Sequence, residues 1–125
     1  MNVLLDTNAF LRWMTDSPLP SAAKRVLSRH DTGTVISIVT GWEIIMKPKL
    51  NRNAKDIEAA IEAMGAVLLP IKFRHLNELS RLAVYEDHRD PFDRMLIAQA
   101  LAEDLSIVTS DSRFGEYKGV RVLWD

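Results

Sequence analysis

The 125-residue chain contains no cysteine. That excludes a disulfide scaffold and any zinc site built on thiolates, and it favours an intracellular, cytoplasmic protein. Glycine and proline are scarce, five of each, and no repeat, low-complexity tract or linker divides the chain. No apolar run approaches the ~20 residues that cross a bilayer, so no membrane association is expected. Neither sign of charge dominates: 16 Lys and Arg stand against 17 Asp and Glu, a net charge of −1. Bulk electrostatic binding of nucleic acid is therefore disfavoured, although local patches remain possible. The opening MNVLLDTNAFL lacks a basic n-region and a cleavage site of small residues, so a strand is expected there in place of a signal peptide. The turn after NVLL carries no glycine, which excludes a dinucleotide-binding fingerprint.

What is present is an alternation of short apolar runs and helical periods. NVLL (2–5), TVISI (34–38), AVLLPI (66–71), SIVTS (106–110) and VRVLW (120–124) read as strands. Helices are expected over 8–14, 21–29, 40–47, 54–64, 74–84 and 91–104. Pro48 should stop the third of these, because proline forces its predecessor out of the α region. Ala23, Val26 and Leu27 share one face of the second helix; Ile57, Ala60, Ile61 and Met64 share one of the fourth; Leu76, Leu79, Leu82 and Ala83 point inward from the fifth. Five near-continuously apolar strands separated mostly by helices predict a single α/β domain, a three-layer α/β/α sandwich over residues 1–125 around a parallel sheet. In such sheets ligands bind at the carboxyl ends of the strands, where strand order reverses.

Four carboxylates fall where that rule looks. Asp6 follows the first strand and Asp111 the fourth, while Glu43 and Asp93 open helices. Each has a structural alternative. Thr40-Gly-Trp-Glu43 matches a capping box. Asp90-Pro91-Phe92-Asp93 reads as N-cap, proline at N1 and an acid at N3. Asp6 or Thr7 could cap the first helix, and Ser110 or Asp111 could begin a turn. A cap contributes roughly 1 kcal/mol, whereas two carboxylates ~4 Å apart near a surface repel by about 4 kcal/mol. Four converging acids thus make sense when a divalent cation neutralises them. Oxygen-only donors suit Mg²⁺ or Mn²⁺ better than zinc. Asp93 also shares a helical face with Ile97 and Ala100, which points it along the packed side.

The segments VLLDTNAFLRW, ISIVTGWEIIMK, HRDPFDRMLIAQAL, IVTSD and terminal VRVLW, in this order and spacing, resemble the PIN domain, and within it the VapC-type toxins of bacterial toxin–antitoxin pairs. The resemblance implies a Mg²⁺- or Mn²⁺-dependent endoribonuclease that hydrolyses tRNA, rRNA or mRNA through an activated water, leaving 5′-phosphate and 3′-hydroxyl ends. It implies a homodimer restrained by a cognate antitoxin whose tail fills the active site. It assigns Asp6, Glu43, Asp93 and Asp111 as the catalytic and metal-binding quartet, with Asp90, Thr7, Asn8 and Ser110 around it. The chain departs from the family at PKLNRN (48–53), where many relatives carry a glycine-containing stretch, and at Gly41, where a bulkier residue is usual.

Two other readings compete. A haloacid-dehalogenase-type phosphatase needs a second acid two residues after the first, and Asn8 stands there. A non-catalytic PIN-like module that binds RNA or protein would lack one of the acids, and none is missing. Basic residues that could meet RNA phosphates are Lys47, Lys49, Arg52 and Lys55, then Lys72 and Arg74, then Arg89 and Arg94; solvated helix faces are the alternative. His30, His75 and His88 show no metal-ligand spacing and are expected at the surface or in loops, His88 lying beside the acidic site. Trp13, Trp42 and Trp124 are expected to pack, Trp42 fixing its helix against the sheet. A dimer face could equally use Leu76, Leu79 and Leu82.

Overall fold

The structure, a computed structural model, describes residues 1–125. Val3, Leu4 and Leu5 are all fully buried and form β1 (Asn2–Leu5), as a strand covered on both faces requires. The chain continues through α1 (Thr7–Met14), α2 (Ser21–Ser28), β2 (Gly33–Ser37), α3 (Ile38–Ile45), α4 (Ala54–Met64), β3 (Val67–Leu69), α5 (Phe73–Arg81), α6 (Pro91–Glu103), β4 (Ser106–Val108) and β5 (Val122–Leu123). Short 3₁₀ turns cover Pro48–Leu50 and Ser112–Glu116. Every strand pairing is parallel, in the order β3-β2-β1-β4-β5. Strand order therefore reverses between β1 and β4, the position at which such sheets open a crevice.

Alternation along the strands divides the core into two layers. Leu4 and Ile107 face one layer, with Leu96 and Ile97 of α6 and the partly buried Leu79 of α5. Val3, Leu5 and Val108 face the other, with Phe10 of α1, Ala23 of α2 and Ile57 and Ile61 of α4. The helix α3 contributes to both, through Val39 and Ile44. The expected three-layer α/β/α sandwich with a five-stranded parallel sheet is the observed architecture.

Several boundaries differ from the sequence reading. The edge strands are shorter: 66–71 contracts to Val67–Leu69 and 120–124 to Val122–Leu123, since each has a single neighbouring strand. α3 begins two residues early, because the Ser37 hydroxyl accepts the Val39 backbone N–H at 3.0 Å and caps it. The Thr40–Glu43 capping box therefore does not form; Thr40 and Glu43 lie buried inside the helix. α5 stops at Arg81, leaving Ala83 outside it and exposed. Leu76 is also exposed, while Leu79 and Leu82 pack on the core. Trp42 does not pack on the sheet; it is 54% exposed and meets Phe92 edge-on at 4.8 Å. In α6 every residue from Met95 to Ala100 is buried, so the Ile97–Ala100 stripe carries no orientation signal. His75 and His88 are fully enclosed, against expectation; only His30 is exposed.

Candidate metal and catalytic site

The β1–β4 ladder extends one step beyond β1, where the Asp6 N–H donates to Val108 O at 3.0 Å. This fixes Asp6 at the crevice. Its Oδ1 accepts the Ala9 N–H at 2.8 Å and so caps α1. Its Oδ2 accepts the Thr109 hydroxyl at 2.6 Å. Thr109 Oγ1 in turn accepts the Asp111 N–H at 3.0 Å, so a single threonine after β4 ties the first acid to the segment that delivers the last.

Glu43 reaches the same place from α3. Its Oε1 accepts the Thr7 hydroxyl at 2.5 Å, and Lys47, one turn later, sets its ammonium 2.7 Å from Oε2. Asp93 stands in the first turn of α6. Asp90 caps that helix by accepting the Asp93 N–H at 2.9 Å, with Pro91 at N1. Asp111 begins the 3₁₀ turn and is held by Arg113, whose Nε and Nη2 lie 3.1 and 2.8 Å from its two oxygens.

These four acids, 6, 43, 93 and 111, line one cavity of about 330 Å³ together with Thr7, Asn8, Lys47 and Ser110, its apolar wall formed by Leu11, Leu50 and Phe114. Two of the acids carry their own cation, Lys47 on Glu43 and Arg113 on Asp111. The other two have no Lys or Arg partner, and their ionisation is hindered. Burial pushes the Asp6 carboxyl up, with Glu43 and Asp111 adding repulsion against the lowering effect of Thr109 and Ala9. Burial raises Asp93 to about 6, aided by Asp90 and Glu43 and opposed by His88. Arg113 holds Asp111 below the usual carboxylate range. Uncompensated carboxylates facing a shared cavity, offering only oxygen donors, fit a hard divalent cation.

A larger cavity of about 590 Å³ lies between α3 and α4, but its lining is mostly apolar and gathers no ligating cluster. The basic residues separate by place. Lys47 is in the site. Lys49 and Arg52 line an adjoining cavity that shares Asn8, Leu11 and Leu50 with it. Lys55 lines the apolar cavity. Arg74 pairs with Glu103, and the exposed Arg89 lies 3.8 Å from Glu86. Arg94 is engaged by Ala83 O and the Tyr117 hydroxyl.

Sequence reasoning misses one neighbour of the quartet, Thr109, and the burial of another, His88. Thr109 belongs to the IVTSD segment, but no sequence pattern reveals that its hydroxyl turns back to residue 6. His88 precedes the helix start at Asp90, a position that suggests the surface. It is buried, with Nε2 3.2 Å from Asp93 Oδ2, and His88, Asp93 and Asp111 each present a ligand atom within 4.8 Å of the others.

The family model of the PIN domain matches residues 3–120. Among solved structures, the chain is similar to VapBC2 from Rickettsia felis bound to a promoter DNA fragment, with a TM-score of 0.78 and 14% identity over the whole of both chains. It is also similar to DNA-bound VapBC from Salmonella typhimurium (TM-score 0.69, 21% identity, 98% of this chain and 96% of that one). VapBC-1 from nontypeable Haemophilus influenzae gives 0.67 at 19% identity, covering 93% and 91%. At these identities the likeness is one of fold. No curated protein sequence matches the chain.

Proposed function

The chain belongs to the PIN-domain family, and on that premise we propose that it is a Mg²⁺- or Mn²⁺-dependent endoribonuclease, the toxin of a VapBC-like pair. The observation that carries this reading is the convergence of Asp6, Glu43, Asp93 and Asp111, drawn from four separate elements, on one cavity. Asp6, Asp93 and Asp111 would hold the ion, with Glu43 completing the site directly or through water. When bound, the ion supplies Lewis acidity toward a phosphodiester and lowers the pKa of a nearby water. Lys47 and Arg113 orient Glu43 and Asp111, and Arg113 also favours the ionised form of Asp111. Leu11, Leu50 and Phe114 limit water on the apolar side. Lys49 and Arg52, beside the acidic centre, are placed to meet phosphates of an approaching RNA strand.

The same reading makes residues 1–125 one PIN domain working in the cytoplasm as a homodimer, with an antitoxin as its inhibitor. No helix is long and apolar enough to cross a membrane. The test is an RNA digest with Mn²⁺ or Mg²⁺, with and without chelator, beside Asp6→Asn. Asparagine keeps an oxygen that can cap α1 and removes the charge together with the acceptor of the Thr109 hydroxyl, so the variant, checked for folding by circular dichroism, should cut no RNA. Wild-type cleavage in Asp6→Asn would overturn the assignment. RNA bound but never cut by the wild type would favour the non-catalytic module.

A further inference from the structure

We propose that His88 is a positioning residue for Asp93, held in place by Tyr117 and Arg94, so that one oxygen of Asp93 is tied back and the other is left for the cavity. The inference rests on the reading of Asp93 as a ligand, but its geometry is independent of any bound ion.

The ring of His88 is fully buried, 5.4 Å from that of Phe114 and 5.5 Å from that of Tyr117. Nε2 lies 3.2 Å from Asp93 Oδ2 and Nδ1 lies 3.1 Å from the Tyr117 hydroxyl. A bare nitrogen lone pair facing a carboxylate oxygen at that distance would repel it, so Nε2 carries the hydrogen and donates. In a neutral ring Nδ1 must then accept, and the Tyr117 hydroxyl is its one partner. Arg94 Nη1 donates to that hydroxyl oxygen at 3.2 Å, which turns the hydroxyl hydrogen toward His88, where Nδ1 at 3.1 Å and the backbone carbonyl oxygen at 3.3 Å can both accept it. Tyr117 and Arg94 thus brace the ring from outside the site.

The backbone that presents His88 is pinned as well. Arg94 Nη1 also donates to Ala83 O at 2.8 Å, Arg113 Nη1 donates to Asp87 O at 2.5 Å, and His88 N donates to Tyr85 O at 3.2 Å. The loop is thus fastened to α6, which carries Asp93, and to the turn that carries Asp111. Asp93 has no other side-chain hydrogen bond than the one from His88, so without it the carboxylate could rotate in its first-turn position. Partners of this kind behind a ligand change metal affinity by about 10–100-fold when removed.

The experiment uses the full chain as wild type, His88→Ala, His88→Gln and Tyr117→Phe. Glutamine can place an N–H near the former Nε2. Mn²⁺ affinity measured by calorimetry should fall about 10–100-fold in His88→Ala, recover for the most part in His88→Gln, and fall by a smaller factor in Tyr117→Phe, while RNA KM at saturating Mn²⁺ stays near wild type. An alanine variant that is folded by circular dichroism and binds Mn²⁺ like wild type overturns the proposal. The second readout needs no metal: long-range ¹H–¹⁵N imidazole spectra should show a hydrogen on Nε2 of His88 and a Nδ1 signal that shifts in Tyr117→Phe. A bare Nε2 overturns the positioning role. A wild type that binds no Mn²⁺ but shows the expected imidazole pattern overturns the metal reading alone.

Discussion

Three carboxylates that line the same cavity respond to it in different directions. Asp111 is drawn down by Arg113, while Asp6 and Asp93 are pushed up mainly by burial. For Asp93 the sign matters. Its folded pKa of about 6 lies above the ordinary 3.8, so in the metal-free protein ionising it costs stability as pH rises from about 4 through 6. A bound cation needs the ionised form and must expel that proton. Mn²⁺ affinity should therefore weaken by at least about tenfold per pH unit below 6, the raised Asp6 adding to the slope, as calorimetry at pH 5, 6 and 7.5 would record; a flat profile would remove Asp93 from the ligand set.

Elements carry the next set of consequences. Gly41 sits inside α3, where glycine costs about 1 kcal/mol relative to alanine. A Cβ there would meet Ile57 Cγ2 at 3.8 Å, an ordinary contact. Gly41→Ala should raise stability by roughly 0.5–1 kcal/mol in urea unfolding. By sequence this glycine stands near a helix start; in the structure it is mid-helix, because Ser37 moves the cap upstream. Ser37 is also the first link of a buried polar chain. It donates to Gln99 Oε1 at 2.5 Å; Gln99 lies 3.4 Å from His75 Nδ1; His75 Nε2 meets Glu103 at 2.8 Å. The chain joins β2, α5 and α6 through their interior. Arg74, then His75, hold the Glu103 carboxyl at about 2, below its ordinary 4.5. A depressed acid stabilises above its unfolded pKa and ceases to do so as pH falls through its folded one. Glu103→Gln should cost about 1–3 kcal/mol near neutral pH, a difference that shrinks between pH 4.5 and 2 in parallel unfolding curves.

At the scale of the molecule, a net charge of −1 means that, under the proposed function, affinity for RNA would have to come from placement and not from bulk charge. Lys49 and Arg52 flank the acidic cavity, while Arg94 is committed to Ala83 and Tyr117. Replacing Lys49 and Arg52 together by Gln should lower the slope of log affinity against log salt by about 0.7 for each phosphate no longer neutralised on single-stranded RNA. Arg94→Gln should instead act through the His88 loop, lowering Mn²⁺ affinity more than it alters the salt response. Filter binding across a salt series, read beside calorimetry, separates the two.

The fold class, the parallel sheet and three of the four acids are legible in the sequence because they rest on local rules: apolar runs of strand length, helical periods between them, and acids placed directly after strands or at a helix start; Glu43 is expected at a helix start but lies inside α3, reaching the crevice from mid-helix. Strand ends at the sheet edges are less legible, since pairing on one side only leaves no mark on residue order. The burial of His75 and His88 is not legible at all. Histidine carries no patterning signal of its own, and each ring is enclosed by partners distant in sequence: Glu103 for one, Tyr117 and Phe114 for the other. The sequence by itself determined which elements form and which carboxylates reach the crevice. Only the tertiary structure decided that Asp6 and Asp93 are buried without a Lys or Arg partner and that Thr109 turns back to Asp6, because the groups that enclose them come from distant segments, whereas the cations of Glu43 and Asp111 stand only four and two residues away.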